Sequence, residues 1–106
     1  MERFMAYLED GEARLRQESR RLAADERGDE GDLAKIRANV YGICRSVFQT
    51  LGAERGRAKL AELKNAWETA LSAAREHGDV KKAVIEEIKL ETLAEIGAEL
   101  DRTEKV

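Results

Sequence analysis

The chain has 106 residues with 19 Lys and Arg, 22 Asp and Glu, one Cys, one His and no Pro, for a formal net charge of −3. This length leaves room for one domain, 1–106, with one hydrophobic core. The single cysteine excludes an internal disulfide, and 42% hydrophobic residues are too many for a disordered chain.

The sequence predicts neither a signal peptide nor a membrane-spanning helix. The N-terminus lacks the apolar stretch of about 7–15 residues that a signal peptide needs. No apolar run approaches the roughly 20 residues that cross a bilayer as a helix. A soluble, cytoplasmic protein is therefore expected.

The composition predicts an all-α protein, because Pro is absent and Ala, Leu, Glu, Lys and Arg are abundant. We expect an antiparallel bundle of four helices. The first covers residues 2–27, and a polar loop, 27–32, follows it with Asp32 as the N-cap of the next helix. The apolar face of the first helix contains Phe4, Leu8, Leu15 and Leu22.

The second helix, 33–51, is the most apolar segment. Its main stripe consists of Leu33, Ile36, Val40, Ile43, Val47 and Leu51, widened by Tyr41, Cys44 and Phe48. A second line contains only small side chains: Ala34, Ala38, Gly42, Ser46 and Thr50. A helix with this many apolar or small positions is expected to be central in the bundle and to need cover on several sides.

A turn is predicted at residues 52–57. The apolar stripe ends at Leu51 and resumes at Leu60, which is about half a turn out of phase at 100° per residue. Gly52 and Gly56 lie in this gap. The alternative is one continuous helix over about 32–77, which would give three helices and an elongated molecule.

The last two helices are predicted at 57–77 and 80–102, with Gly78 ending the third and Asp79 capping the fourth. Core positions on the third are Leu60, Leu63, Trp67, Ala70, Leu71 and Ala74. Core positions on the fourth are Val84, Ile85, Ile88, Leu93, Ile96 and Leu100.

The residues predict no catalytic site, no metal site and no cofactor. His77, the only histidine, lies at a helix end, where its charge would face the helix dipole favourably. Cys44 lies on an apolar face, where a free thiol packs as a small hydrophobic group. The chain has one Cys and one His, which are too few ligands for a zinc site. Hence we expect a protein that is not an enzyme.

Charge is divided unevenly along the chain. Residues 33–64 contain seven bases and two acids, whereas residues 79–106 contain five bases and eight acids. The favoured interpretation is that a basic helix packs against an acidic one. Nucleic-acid binding through 33–64 is the alternative, although nucleic-acid-binding domains usually have a basic total charge.

The functional prediction is an interaction domain that forms a homodimer through its second helix, because twofold dimers are the commonest oligomers. The predicted interface residues are Ala38, Tyr41, Gly42, Cys44, Arg45 and Phe48. The alternative is an adaptor or chaperone-like module that holds a partner helix. Neither membrane attachment nor a nucleic-acid partner is favoured.

Overall fold

The computed structural model describes residues 1–104. Within them the chain forms three helices, α1 (Glu2–Ala24), α2 (Gly28–Glu76) and α3 (Val80–Glu104), and no strand. The prediction of an all-α bundle is confirmed, and the prediction of four helices is wrong. The alternative of three helices, with one helix over about 32–77, agrees with the observed count.

The long helix α2 is bent at Gly52, whose backbone has a non-helical φ of 81° and ψ of −177°. This region of backbone conformation is essentially open to glycine alone. A straight helix of 49 residues would measure about 73 Å, but the longest dimension of the molecule is 40 Å. The bend therefore divides α2 into an N-terminal arm (residues 28–51) and a C-terminal arm (residues 53–76), and the elongated molecule that the three-helix alternative implied is not formed.

The two interhelical connections are short. Glu26 has a φ of 61°, and the Arg27 N–H donates to the Leu22 carbonyl at 2.8 Å, which ends α1 within three residues. Because α2 begins at Gly28, the predicted loop at 27–32 is wrong and Asp32 is not an N-cap. At the second connection the predictions are confirmed: Gly78 has a φ of 67°, and Asp79 Oδ1 accepts from the Lys82 N–H at 3.1 Å.

Helix α1 packs antiparallel to the N-terminal arm. Near its start the Phe4 ring lies edge-on to Phe48, with centroids 5.0 Å apart. Near its end the Ser19 hydroxyl donates to the Gly31 carbonyl at 2.7 Å. The predicted apolar face of α1 is confirmed, since Phe4, Leu8, Leu15 and Leu22 are all buried.

Helix α3 packs antiparallel to the C-terminal arm. Arg75 pairs with Glu87 at 2.9 Å at one end, and Arg57 Nη2 lies 3.0 Å from Asp101 Oδ1 at the other. The core between and beside these helices includes Leu60, Trp67, Leu93, Ile96 and Leu100, and it is continuous with the aromatic core under α1.

Two predicted apolar faces lie differently from expectation. On the N-terminal arm the line of Ala34 and Ala38 is buried, whereas Ile43 on the predicted stripe is 41% exposed. Val40 on the same stripe is nevertheless buried, and Ser46 and Thr50 on the small-residue line are exposed, so neither line is buried along its whole length. On α3, Val84 is exposed although it was expected in the core.

Candidate interaction surface

Four of the six predicted interface residues belong to the core of the chain itself. Ala38, Tyr41, Cys44 and Phe48 are each at most 3% exposed. The Tyr41 hydroxyl lies 2.8 Å from that of Tyr7 on α1, so α1 covers the face that was expected to need a partner. The physical reason for placing a dimer contact on these four side chains is therefore removed.

The other two predicted residues, Gly42 and Arg45, are half-buried beside Glu12 of α1. Glu12 Oε1 accepts from Arg45 Nε at 3.0 Å, and Glu12 Oε2 accepts from Arg16 Nη2 at 2.8 Å. Burial by itself would raise the pKa of Glu12, but the hydrogen bonds from Arg16 and Arg45 and their charges outweigh it and lower the pKa. This cluster ties α1 to the N-terminal arm, and the absence of a Cβ on Gly42 makes room for the carboxylate.

A different part of the second helix remains open. An apolar groove with a volume of about 470 Å³ lies between the beginning of the N-terminal arm and the beginning of α3. Its floor contains Leu33 and Ile36 from α2 and Val84 and Ile85 from α3. We call it the N-terminal groove. Ile43 lies seven residues beyond Ile36 on the same face of the arm and extends the apolar surface.

The first turns of α3 leave two valines exposed, whereas one glutamate is buried. Val80 is 75% exposed and Val84 is 40% exposed, whereas Glu86 is 6% exposed. Glu86 Oε2 lies 3.0 Å from Lys89 Nζ, which stands 4.6 Å from the centroid of the Trp67 ring. Burying a charged pair costs desolvation energy that apolar side chains would not cost. α3 is therefore oriented so that Leu93, Ile96 and Leu100 are buried while the two valines near its beginning remain exposed.

Charges at the N-terminal groove are separated by edge. Asp29 and Asp32 lie on the α2 edge, and Lys81 lies on the α3 edge. Within residues 1–104 none of these three has an ion-pair partner within 4.0 Å. The groove thus combines an apolar floor with one acidic and one basic edge.

The exposure of Val84 could have been predicted from its spacing to Leu93, although both residues were placed in the core of the predicted fourth helix. Val84 and Leu93 are nine residues apart, so they lie about half a turn out of phase on a regular helix. The same spacing between Leu51 and Leu60 was used to predict a break in α2. Since α3 is regular, Val84 and Leu93 must face opposite sides, and only Leu93 is buried.

Three of the seven bases in the segment 33–64 pair with acids of the same chain. Arg45 pairs with Glu12, Arg57 with Asp101 and Glu104, and Lys59 with Glu62. The pairs of Arg57 join the basic arm to the acidic helix α3, as the favoured interpretation of the charge pattern expects. They also reduce the positive field that a nucleic acid would meet.

The described part of the chain contains no group of three or more His, Cys, Asp and Glu side chains placed to hold a metal ion. His77 is the C-cap of α2. Burial raises the pKa of the Cys44 thiol to about 12, so the reactive thiolate is scarce at neutral pH. Among residues 1–104 no helix combines the length and apolar character needed to cross a membrane.

Comparison with protein-family models, with curated proteins and with solved structures gives no match. The functional interpretation therefore depends on the surfaces described above.

Proposed function

We propose that the protein is a non-enzymatic, cytoplasmic interaction domain that forms a homodimer through the N-terminal groove. The single observation that carries this proposal is the exposed apolar face at the beginning of α3, where Val80 and Val84 face outward while Glu86 is buried. Removing apolar surface from water contributes roughly 25 cal/mol per Å², so an adjoining second copy would gain free energy by covering it.

The distribution of charge favours a second copy of the chain as the occupant. In a twofold dimer the same patch meets itself, so a residue on one edge faces a residue on the other edge of the partner. The acidic edge with Asp32 would therefore meet the basic edge with Lys81, and Lys81 would meet Asp32 in return. Both edges are satisfied at once when the twofold axis runs along the groove, so that the two N-terminal grooves lie face to face and parallel.

This proposal keeps the second helix as the site of self-association and changes the face. Leu33, Ile36 and Ile43 replace the buried side chains that the apolar pattern suggested. Their larger side chains remain at the edge of the intramolecular core, where one side contacts the chain and the other is available.

Sedimentation equilibrium at tens of micromolar is the direct test, with a dimer expected for the unmodified chain. Val84→Glu places a charge on the groove floor and should give a folded monomer. The matched control is Ala66→Glu, because Ala66 is exposed on the C-terminal arm and does not line the groove. This control should remain dimeric.

Charge reversal tests the orientation. Asp32→Lys and Lys81→Asp should each weaken the dimer, and the double variant should restore it, because both edges are exchanged together. A monomer at every concentration would overturn the proposal. So would a dimer that tolerates Val84→Glu.

A further inference from the structure

A small cleft lies along the seam between α1 and the N-terminal arm of α2, with a volume of about 190 Å³. Arg16, Ser19 and Arg20 line it from α1, and Lys35 lines it from the arm. Three of its four lining residues are therefore basic, and none is acidic. We call it the basic cleft.

The two helices approach each other closely at the cleft because one of them lacks a side chain there. The Ser19 hydroxyl donates to the Gly31 carbonyl at 2.7 Å, and a Cβ atom on Gly31 would lie 2.9 Å from the Ser19 carbonyl oxygen. Both backbones are thus fixed at this point. Since the hydroxyl proton of Ser19 is already donated, recognition of a ligand in the cleft falls to the basic side chains.

Arg16 is held in position by residues of both helices. Its Nε and Nη2 donate to Glu12 Oε2 at 3.1 and 2.8 Å, and its Nη1 donates to Asn39 Oδ1 at 3.2 Å. A guanidinium group has five N–H donors, so two remain for a ligand. Because the side chain is already ordered, it loses little conformational entropy on binding.

The other two bases of the cleft are not neutralised. Arg20 and Lys35 are exposed, and within residues 1–104 neither has an ion-pair partner within 4.0 Å. Arg20 follows Arg16 by one turn, and like charges at this spacing destabilise a helix. Glu12, which pairs with Arg16, also pairs with Arg45. The chain therefore leaves part of the positive charge at the cleft uncompensated.

We propose that the basic cleft binds the phosphate group of a small phosphorylated ligand. Phosphate oxygens accept charge-assisted hydrogen bonds from arginine and lysine, which are stronger than those between neutral groups. The cleft volume equals that of about six water molecules in the liquid, which is space for one or two phosphate groups. The net charge of −3 on the whole chain repels an extended polyanion outside the cleft, which favours a compact ligand.

The same phosphate chemistry occurs in soluble phosphate esters and in lipid headgroups. Inorganic pyrophosphate is the soluble probe. Vesicles of phosphatidylcholine, with and without phosphatidic acid, are the membrane probe. Binding of pyrophosphate without binding to either vesicle assigns a soluble ligand, whereas binding that requires phosphatidic acid in the vesicle assigns a headgroup.

Isothermal titration calorimetry of the full chain with pyrophosphate should show saturable binding of one ligand per chain. The titration is performed at low ionic strength, because salt screens exposed charges. Arg20→Gln and Lys35→Gln should each weaken binding by more than about tenfold, since each removes a charged donor. Both side chains are exposed, so circular dichroism should show an unchanged helix content.

Arg14→Gln is the matched control, because it makes the same change of charge on the same helix. Arg14 precedes Arg16 by two residues, which places it about 160° away around α1, and it does not line the cleft. Its affinity for pyrophosphate should stay within about twofold of the unmodified chain.

Three results would overturn the proposal: neither probe binds at low ionic strength, Arg14→Gln weakens binding as much as Arg20→Gln, or a single-stranded oligonucleotide outcompetes pyrophosphate at equal phosphate concentration. The last result would assign the surface to nucleic acid. No residue of the N-terminal groove lines the basic cleft, so the Val84→Glu variant should bind pyrophosphate like the unmodified chain. A failure of the dimer and a failure of this site are therefore distinguishable.

Discussion

The ring of Phe48 lies against the backbone of Gly56, and a Cβ atom on Gly56 would come within 2.6 Å of ring atoms Cδ1 and Cε1. These two residues stand on opposite sides of the bend at Gly52, so their contact joins the two arms of α2. Phe48 also packs on Phe4, which connects the bend to α1. The angle of the bend is thus held by aromatic packing that depends on a missing side chain.

Gly56→Ala should destabilise the protein although alanine is the better helix former. The added methyl group would overlap the buried Phe48 ring, and overpacking of this kind costs about 1–3 kcal/mol. Urea denaturation followed by circular dichroism measures the loss. Double substitution with Phe48→Leu should recover part of the cost of Gly56→Ala, because the smaller side chain leaves space. An unchanged or increased stability of Gly56→Ala would contradict the close contact.

Gly52→Ala should also destabilise the fold, through backbone strain rather than packing. A Cβ at Gly52 would meet no neighbouring atom, but its φ of 81° with ψ of −177° is unfavourable for alanine by about 1–3 kcal/mol. The control is Gly28→Ala, since Gly28 begins α2 without positive φ and its Cβ would also meet nothing. Equal stabilities of the two variants would show that the bend does not strain alanine.

Glu12→Gln should lower stability at neutral pH by about 1–2 kcal/mol, because the hydrogen bonds from Arg16 and Arg45 lose their charged acceptor. The pKa of Glu12 is lowered in the folded protein. Its contribution is therefore complete above the ordinary glutamate pKa and is lost as the pH falls through the folded value. The stability difference between wild type and Glu12→Gln should shrink at acidic pH.

Denaturation measured across pH 3–7, a range that includes the usual carboxyl pKa of about 4, tests this dependence. Glu9→Gln is the matched control, because Glu9 lies on the same helix and is exposed. Its effect should be small at every pH. A Glu12→Gln difference that grew on acidification would reverse the sign of the linkage and contradict the assigned pKa direction.

Cys44 should resist thiol reagents in the folded protein. Its side chain is fully buried, and burial raises its pKa to about 12, so both access and thiolate concentration are low. Labelling with iodoacetamide at neutral pH should proceed at the rate of unfolding and become rapid in denaturant. Fast labelling under native conditions would indicate that the core beneath α1 opens.

The sequence predicted the helical class, the capped turn at Gly78 and Asp79, and the buried face of α1. These features depend on local helix propensity and on one regular spacing of apolar residues, and both can be read from residues that are close together in the sequence. The same reasoning failed where one segment had two apolar faces. On the N-terminal arm the line through Ala38 and the line through Ile36 are each buried at some positions and exposed at others, and which positions are covered depends on how the neighbouring helices pack.

The region around Gly52 shows which part of the bend could be predicted from the sequence and which part could not. Out-of-phase stripes and two glycines indicated a change of direction at residues 52–57, but not that one residue makes it while helical hydrogen bonding continues on both sides. The exposed surface at the beginning of α3 was harder still to predict. Val84 was assigned to the core together with Leu93, although their nine-residue spacing places them on opposite sides of α3.

Composition and periodicity were enough to predict that this chain forms amphipathic helices and that one connection lies at Gly78 and Asp79. Which apolar side chains remain at the surface followed from packing, because helices compete for the same faces and a close approach such as that of Phe48 to Gly56 settles the competition. The N-terminal groove exists as a result of that outcome, since it is formed by residues far apart in the chain that come together when α2 bends and α3 packs against it.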